Sequence, residues 1–444
     1  MSRPPNLLVI QTDQQSRWTL GAYGGTLVET PNIDRLAREG VRFENFFTNS
    51  AVCTPSRGCL VSSLYPHHHG AYHNDIELRR DVVTIAHILD RAGYETGYVG
   101  KWHLDGCRGG FIPPERSMGF ADCRWMSEYG LPKSIIENPD GTITRSASID
   151  EGRYPTDWHT DKVLEFLARE RTAPFFCMVN VSDPHTPYTV REPYASMYRA
   201  EDMPVPPTFW QEGMPSWADP AEEGVSSYER SAEGEAQMRR DKAAYCGMVK
   251  CIDDNVGRIL EALEAQGILD ETIVVYTTDH GDYMGEHRMH GKNRVYEAVY
   301  RVPFLARWPA ALRAGTVMER FFTGVDVRPT LLSLMGLELA GTEEGRDGSA
   351  LLRGETTPWT DEAFFHHSHF WFTGVFTPDY ELALHEGGEH VLFDRREDPD
   401  QVNNLAASAA HRDALRELAA RVLAHNREVE SPALAWIEKA VGEL

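Results

Sequence analysis

Cysteine pairs, long apolar runs and positive charge are what this sequence has too little of. Its seven cysteines are an odd number and include no C-x-x-C pair, which argues against a disulfide framework or a finger-type zinc site and favours a reducing compartment. The start, Met1-Ser2-Arg3-Pro4-Pro5, leads into an apolar stretch of only a few residues, so neither a signal-peptide core nor a membrane span is expected. Acidic residues number 67 against 44 Lys and Arg, for a formal charge of -23. That balance excludes nucleic acid or an anionic membrane as the main partner, because either needs a basic face. Internal repeats and low-complexity tracts are missing too, and the expectation is a soluble cytoplasmic protein.

What is present is a large core: 444 residues at 41% hydrophobic content suit one big domain with an appendage. Continuous apolar runs at 6–10, 96–99, 174–181, 273–276 and 303–307 read as strands buried on both faces. Helical spacing at 30–40, 82–92, 157–170, 243–266 and 326–335 alternates with them. Such alternation predicts an α/β fold, a large mostly parallel sheet flanked by helices. Ligands bind such sheets beyond the carboxyl ends of the strands. Asp13, Lys101, His103, His185, Asp279 and His280 each follow such an end, so six scattered polar residues should meet on one rim.

From 190 to 240 the composition shifts to Pro, Glu, Ser and Trp; the stretch reads as a surface loop, a lid or a homo-oligomer contact. After about 355 shorter antiparallel strands (364–367, 380–384) and a helix at 408–427 replace the alternation. The expected division is a catalytic α/β domain over 1–355 and a smaller C-terminal α+β subdomain over 356–444.

The chain is organised around Ser50-Ala51-Val52-Cys53-Thr54-Pro55-Ser56-Arg57. Thr54 reads as an N-cap and Pro55 as the first helical position, with Pro66 marking the far end. Cys53 then stands at a helix N-terminus, where unpaired amides and the dipole favour an anion. Arg57 lies one turn on.

The spacing Cys53-x-Pro55-x-Arg57 resembles the signature of the formylglycine-dependent sulfatases, members of the alkaline phosphatase superfamily. Thr30-Pro31-Asn32-Ile33-Asp34-Arg35-Leu36, Tyr65-Pro66-His67-His68-His69-Gly70 and Leu392-Phe393-Asp394 resemble sulfatase segments in their usual order. The resemblance implies an alkaline-phosphatase-like fold, a Cys53 oxidised to formylglycine by a maturation enzyme, and one divalent metal held by Asp13, Gln14, Cys53, Asp279 and His280. Ca²⁺ comes first, with Mn²⁺ or Mg²⁺ as the other candidates, since oxygen-rich ligation suits all three. It further implies catalytic roles for Cys53, Arg57, Lys101, His103, His185 and Lys292, and substrate contacts from Asn74, Lys101, His185 and Lys292.

The expected reaction is hydrolysis of a small-molecule or saccharide sulfate monoester. Gln14 and His280 depart from the commonest Asp-Asp and Asp-Asn pattern; the same variation occurs in phosphonate monoester hydrolases and choline-sulfatase-like members of the superfamily, and a phosphonate monoester hydrolase or phosphodiesterase is the enzymatic alternative. A retired, ligand-binding homologue would have lost Cys53, Arg57 or a metal carboxylate, and none is lost.

Overall fold

The structure, a computed structural model, describes residues 4–106, 108–130, 133–140, 142–146, 148–149, 152–219 and 226–444. Cys107, the Met1–Arg3 start and part of the 190–240 stretch lie outside the described residues. In chain order the first half contains β1 (Asn6–Thr12), α1 (Pro31–Glu39), β2 (Val41–Phe47), α2 (Cys53–Ser62), α3 (Pro66–His69), α4 (Ile85–Arg91), β3 (Glu95–Lys101), β4 (Asp122–Ser127), β5 (Ser134–Glu137), β6 (Ile143–Ser146), α5 (Pro155–Leu167) and β7 (Phe175–Asn180). The second half contains α6 (Ala232–Ala265), β8 (Thr272–Thr278), β9 (Phe304–Arg307), β10 (Thr316–Thr323), α7 (Val327–Leu334), α8 (Ser349–Leu352), β11 (Ala363–His366), β12 (Phe372–Phe376), β13 (Tyr380–His385), β14 (Val391–Asp394), α9 (Arg412–Glu428) and α10 (Leu434–Glu443).

Eight strands form the main sheet in the order β10-β2-β9-β8-β1-β7-β3-β4. The pairs are parallel except at β9, which runs antiparallel to both its neighbours. β1 is buried along its whole length, and its alternating side chains feed both faces. Leu7 and Val9 join an apolar layer with Leu60 of α2, Leu89 of α4 and Leu331 of α7. Leu8 and Ile10 join the opposite layer with Ile33 of α1, Phe166 of α5 and Ile252 of α6. A second, antiparallel sheet, β11-β12-β13-β14, packs Val375, Leu382, Leu384 and Leu392 against Leu418 and Val422 of α9 and Ile437 of α10. This is the mixed, mostly parallel α/β architecture expected, with the smaller antiparallel sheet following it.

Several boundaries differ from the sequence reading, each for a local reason. α2 starts at Cys53, after an extended Val52, so Thr54 is inside the helix; its hydroxyl donates to the His103 carbonyl at 2.8 Å. Ser63, in the left-handed region at φ 57, ends α2, and Pro66 begins α3. α4 begins only at Ile85, because Thr84 caps it reciprocally with His87. α6 begins at Ala232, where the Ser231 hydroxyl accepts from Gly234 N at 3.1 Å; its charged first turns hide the periodicity that starts at Ala243. β2, α3, β4, β5, β6, β10, α8, β12, β14 and α10 have no counterpart in the sequence reading. Described residues of the 190–240 stretch pack on the body: Trp217 stacks on His385 and donates its ring N–H to the Glu389 carbonyl at 2.8 Å. Among the described residues no helix is long and apolar enough to cross a membrane.

Candidate active site

Sheet register builds the site. β1 and β8 are neighbours with Thr12 opposite Thr278, so the next residues, Asp13 and Asp279, leave the sheet side by side. On the other flank β7 and β3 deliver the 183–188 loop and Lys101. Gly100, at φ 105, sits where an added Cβ would meet the Asn180 carbonyl, so only glycine lets β3 run this close to β7 before Lys101. Residues 281–292 then return to the same rim, because Gly291 N–H donates to Asp282 at 2.9 Å.

Cys53 Sγ is at the centre, 1% exposed. Lys292 Nζ lies 2.8 Å away, His280 Nε2 3.3 Å and Asp13 Oδ1 3.6 Å. Burial alone would push this thiol up, but the ammonium groups of Lys101 and then Lys292 outweigh it and hold the group well below its ordinary value. Burial raises the thiols of Cys59, Cys123, Cys177, Cys246 and Cys251 instead. Among the described residues Cys53 is therefore the one thiol placed to carry negative charge.

Around it the expected residues converge. Lys101 Nζ pairs with Asp13 Oδ2. Lys292 Nζ also donates to Gln14 Oε1 at 3.0 Å and to His185 Nε2 at 3.2 Å, while His185 Nδ1 donates to the Thr186 carbonyl at 2.7 Å. His103, at φ 59, hydrogen-bonds Cys53; burial first, then the charge of Lys101, pull its pKa below the usual histidine value, so the ring is neutral near pH 7. Asn74 Oδ1 accepts from Thr54 N–H at 3.2 Å, capping the helix that carries Cys53.

Arg57 is 1% exposed and is the one expected residue that points elsewhere. Its Nε donates to Asp279 Oδ2 at 3.0 Å, and NH1 donates to Asn180 Oδ1 at 2.7 Å and the Lys101 carbonyl at 2.9 Å. NH2 lies 2.8 Å from Asp279 and 3.3 Å from Asp13. Arg57, expected among the catalytic residues, is a guanidinium buried behind the two carboxylates, orienting both.

The donor set fits a divalent cation. Ligand atoms of Asp13, Cys53, Asp279 and His280 lie within 4.8 Å of one another. His280 Nδ1 donates to the Gly281 carbonyl at 2.8 Å, which leaves the Nε2 lone pair directed at the cluster. Gln14, in the left-handed region at φ 65, adds an amide oxygen beside it; a non-glycine residue held there marks a constrained functional position. Sequence reasoning missed Asn180 and Asp282. Asn180 ends a strand, the signal already used for Asp13, and Asp282 stands inside the Asp279-His280-Gly281-Asp282 run.

Comparison with known proteins follows the same line. A family model described as Sulfatase matches residues 5–337, and one described as N-sulphoglucosamine sulphohydrolase, C-terminal, matches residues 285–428. The N-acetylglucosamine-6-O-sulfatase of Bacteroides thetaiotaomicron is 28% identical over 489 residues, 94% of this chain and 85% of its own length. A structure solved in complex with its substrate D-glucosamine-2-N,6-O-disulfate superposes with a TM-score of 0.83 at 24% identity, covering 97% of this chain and 99% of that one. The phosphonate monoester hydrolase of Agrobacterium radiobacter superposes with a TM-score of 0.79 at 25% identity, covering 96% of each chain.

Proposed function

The chain belongs to the sulfatase family, and from that premise we propose that it hydrolyses saccharide sulfate monoesters at Cys53. The observation that carries the reading is the setting of this one cysteine: at the N-terminus of a buried helix, 2.8 Å from a lysine and within reach of two carboxylates and a histidine.

Oxidised to formylglycine by a maturation enzyme, residue 53 would supply a hydrated aldehyde as nucleophile. A divalent cation, Ca²⁺ before Mn²⁺ or Mg²⁺, would be held by Asp13, Gln14, Asp279, His280 and residue 53 and would neutralise the ester's charge. The remaining roles belong to the chain's own side chains. Lys101 and Lys292 flank residue 53 and place two ammonium groups where charge builds up on the sulfate oxygens. Lys292 hydrogen-bonds His185, so this pair can pass a proton to the leaving alkoxide. His103, neutral and beside residue 53, is the base that takes the proton from its hydroxyl. Arg57 holds Asp13 and Asp279 in place. Asn74 fixes the helix start and borders the substrate.

The alcohol is read as a sugar from the rim. Tyr129, 39% exposed, meets His103 edge-to-face with ring centroids 5.4 Å apart. Across the site Trp371, 48% exposed, stacks on His369 at 5.2 Å, and His369 lies on His73 at 4.4 Å. Flat amphipathic rings of this kind suit a pyranose, which is apolar on its faces and polar at its edge. The 28% identical relative is named for a sugar sulfate.

The test is a panel of matched esters on matured protein: glucosamine 6-sulfate, an aryl sulfate and an aryl phosphonate. A higher kcat/KM on both sulfates than on the phosphonate is expected. A preference for the phosphonate of about tenfold, roughly 1.4 kcal/mol of transition-state stabilisation, would establish the phosphonate hydrolase reading instead.

A further inference from the structure

Asp282 lies in the rim but outside the cluster of metal-ligand atoms, and it is fully buried. Both its oxygens are saturated by donors. Oδ2 accepts from Gln14 Nε2 at 2.5 Å and from the Tyr188 hydroxyl at 2.7 Å. Oδ1 accepts from Met284 N–H at 3.0 Å and from Gly291 N–H at 2.9 Å. One carboxylate thus ties together the segment after β1, the loop that carries His185, and the loop that carries Lys292.

Its effect on Gln14 is specific. A carboxylate only accepts and an ammonium only donates. Gln14 is held between Asp282 and Lys292, so its amide has a single satisfied orientation, Nε2 to Asp282 and Oε1 to Lys292. That orientation turns the oxygen toward Cys53 and its neighbours. Turned over, the amide would offer the metal site a donor, which binds no cation.

We propose that Asp282 is the positioning residue that makes Gln14 an oxygen donor of the metal site and, through Gly291, sets Lys292 against it. The proposal rests on the metal-binding reading given above. In Asp282→Asn the shape is kept but one oxygen becomes a donor. The backbone N–H groups of Met284 and Gly291 cannot turn round, so the new NH₂ faces Gln14 and drives its amide over.

Calorimetric titration of the metal-free protein with Ca²⁺ and with Mn²⁺ reads this without any substrate. Asp282→Asn is expected to weaken binding by about 10–100-fold, the usual effect of losing an outer partner of a ligand. The swapped pair Gln14→Glu with Asp282→Asn restores donor facing acceptor at unchanged net charge, and it should recover affinity to within about threefold of the parent, less than 1 kcal/mol. Gln14→Glu in the parent background measures what the added carboxylate does by itself, and the gain it brings to Asp282→Asn should exceed that; a residue with only a scaffolding role would give the same gain in both backgrounds.

Parent-like affinity in Asp282→Asn, or a swapped pair no tighter than Asp282→Asn alone, would overturn the proposal and leave the metal site standing. If circular dichroism shows Asp282→Asn to be misfolded, the swapped pair decides alone: folded with near-parent affinity supports the proposal, and any other result rejects it. A parent that takes up neither ion would reject the metal-site reading itself, and the proposal with it.

Discussion

Lys292 is the residue on which most of the chemistry bears, since a single ammonium touches Cys53, Gln14 and His185. It is half-buried on a loop, so Lys292→Ala should leave circular dichroism unchanged while kcat/KM on an aryl sulfate falls by about 10²–10³, the usual cost of one transition-state donor. A change of less than about twofold would remove Lys292 from the mechanism. The residues at strand ends were legible in the sequence because a parallel sheet dictates where its carboxyl ends point. The direction of Arg57 was not: it depends on the helix starting at Cys53 rather than after Thr54, and on Asp13 and Asp279 being fully buried. For the same reason Asp279→Ala is expected to cost stability as well as metal. It strips a buried guanidinium of a partner at 2.8 Å, and breaking such a pair costs about 3–5 kcal/mol. Chemical denaturation of the variant measures it, and a loss below about 1 kcal/mol would mean that water reaches Arg57 more easily than its burial implies.

Among the α-helices of the described residues, α2 is the one buried along its whole length. Gly58 is placed where a Cβ would fall on the ring of His69, itself fully buried and hydrogen-bonded through Nε2 to the Pro55 carbonyl at 3.2 Å. Helix propensity alone favours Gly58→Ala by about 1 kcal/mol, whereas overpacking opposes it by about 1–3 kcal/mol. The expected outcome is a net loss, read as a lowered Tm, and a raised Tm would show that His69 can move aside. Elements with uniform burial, such as β1 and β8, were legible as apolar runs. β10 was not, because the adjacent charges Glu319 and Arg320 interrupt its apolar residues, and of its first five residues only Met318 is buried. β4 lies at the sheet edge, and there too burial on one side leaves no continuous apolar run to read.

For the whole molecule, buried neutral histidines set the response to acid. Burial pulls His69, His159, His287 and His425 down to about 3 and His67 to about 4. An unfolded histidine takes up its proton near pH 6.5, so between that value and about 3 the unfolded chain binds more protons than the native one. Stability is therefore fully present above about pH 6.5 and declines as the pH falls below it. His425, stacked on Phe364 at 3.9 Å with Nε2 unpartnered, can be replaced by an apolar ring. Urea unfolding of His425→Phe should show a shallower decline between about pH 6 and about pH 4 than the parent, and an identical slope would mean that this histidine keeps its solution pKa in the fold.

The central claim is that a sulfate ester hydrolase works through a converted Cys53. Its most direct test combines peptide mass spectrometry of residue 53 with kcat/KM on an aryl sulfate, across preparations matured to different extents. The account predicts activity proportional to the fraction of Cys53 converted to formylglycine, extrapolating to none at zero conversion, with every other cysteine unmodified. Full activity with Cys53 still a thiol would contradict it.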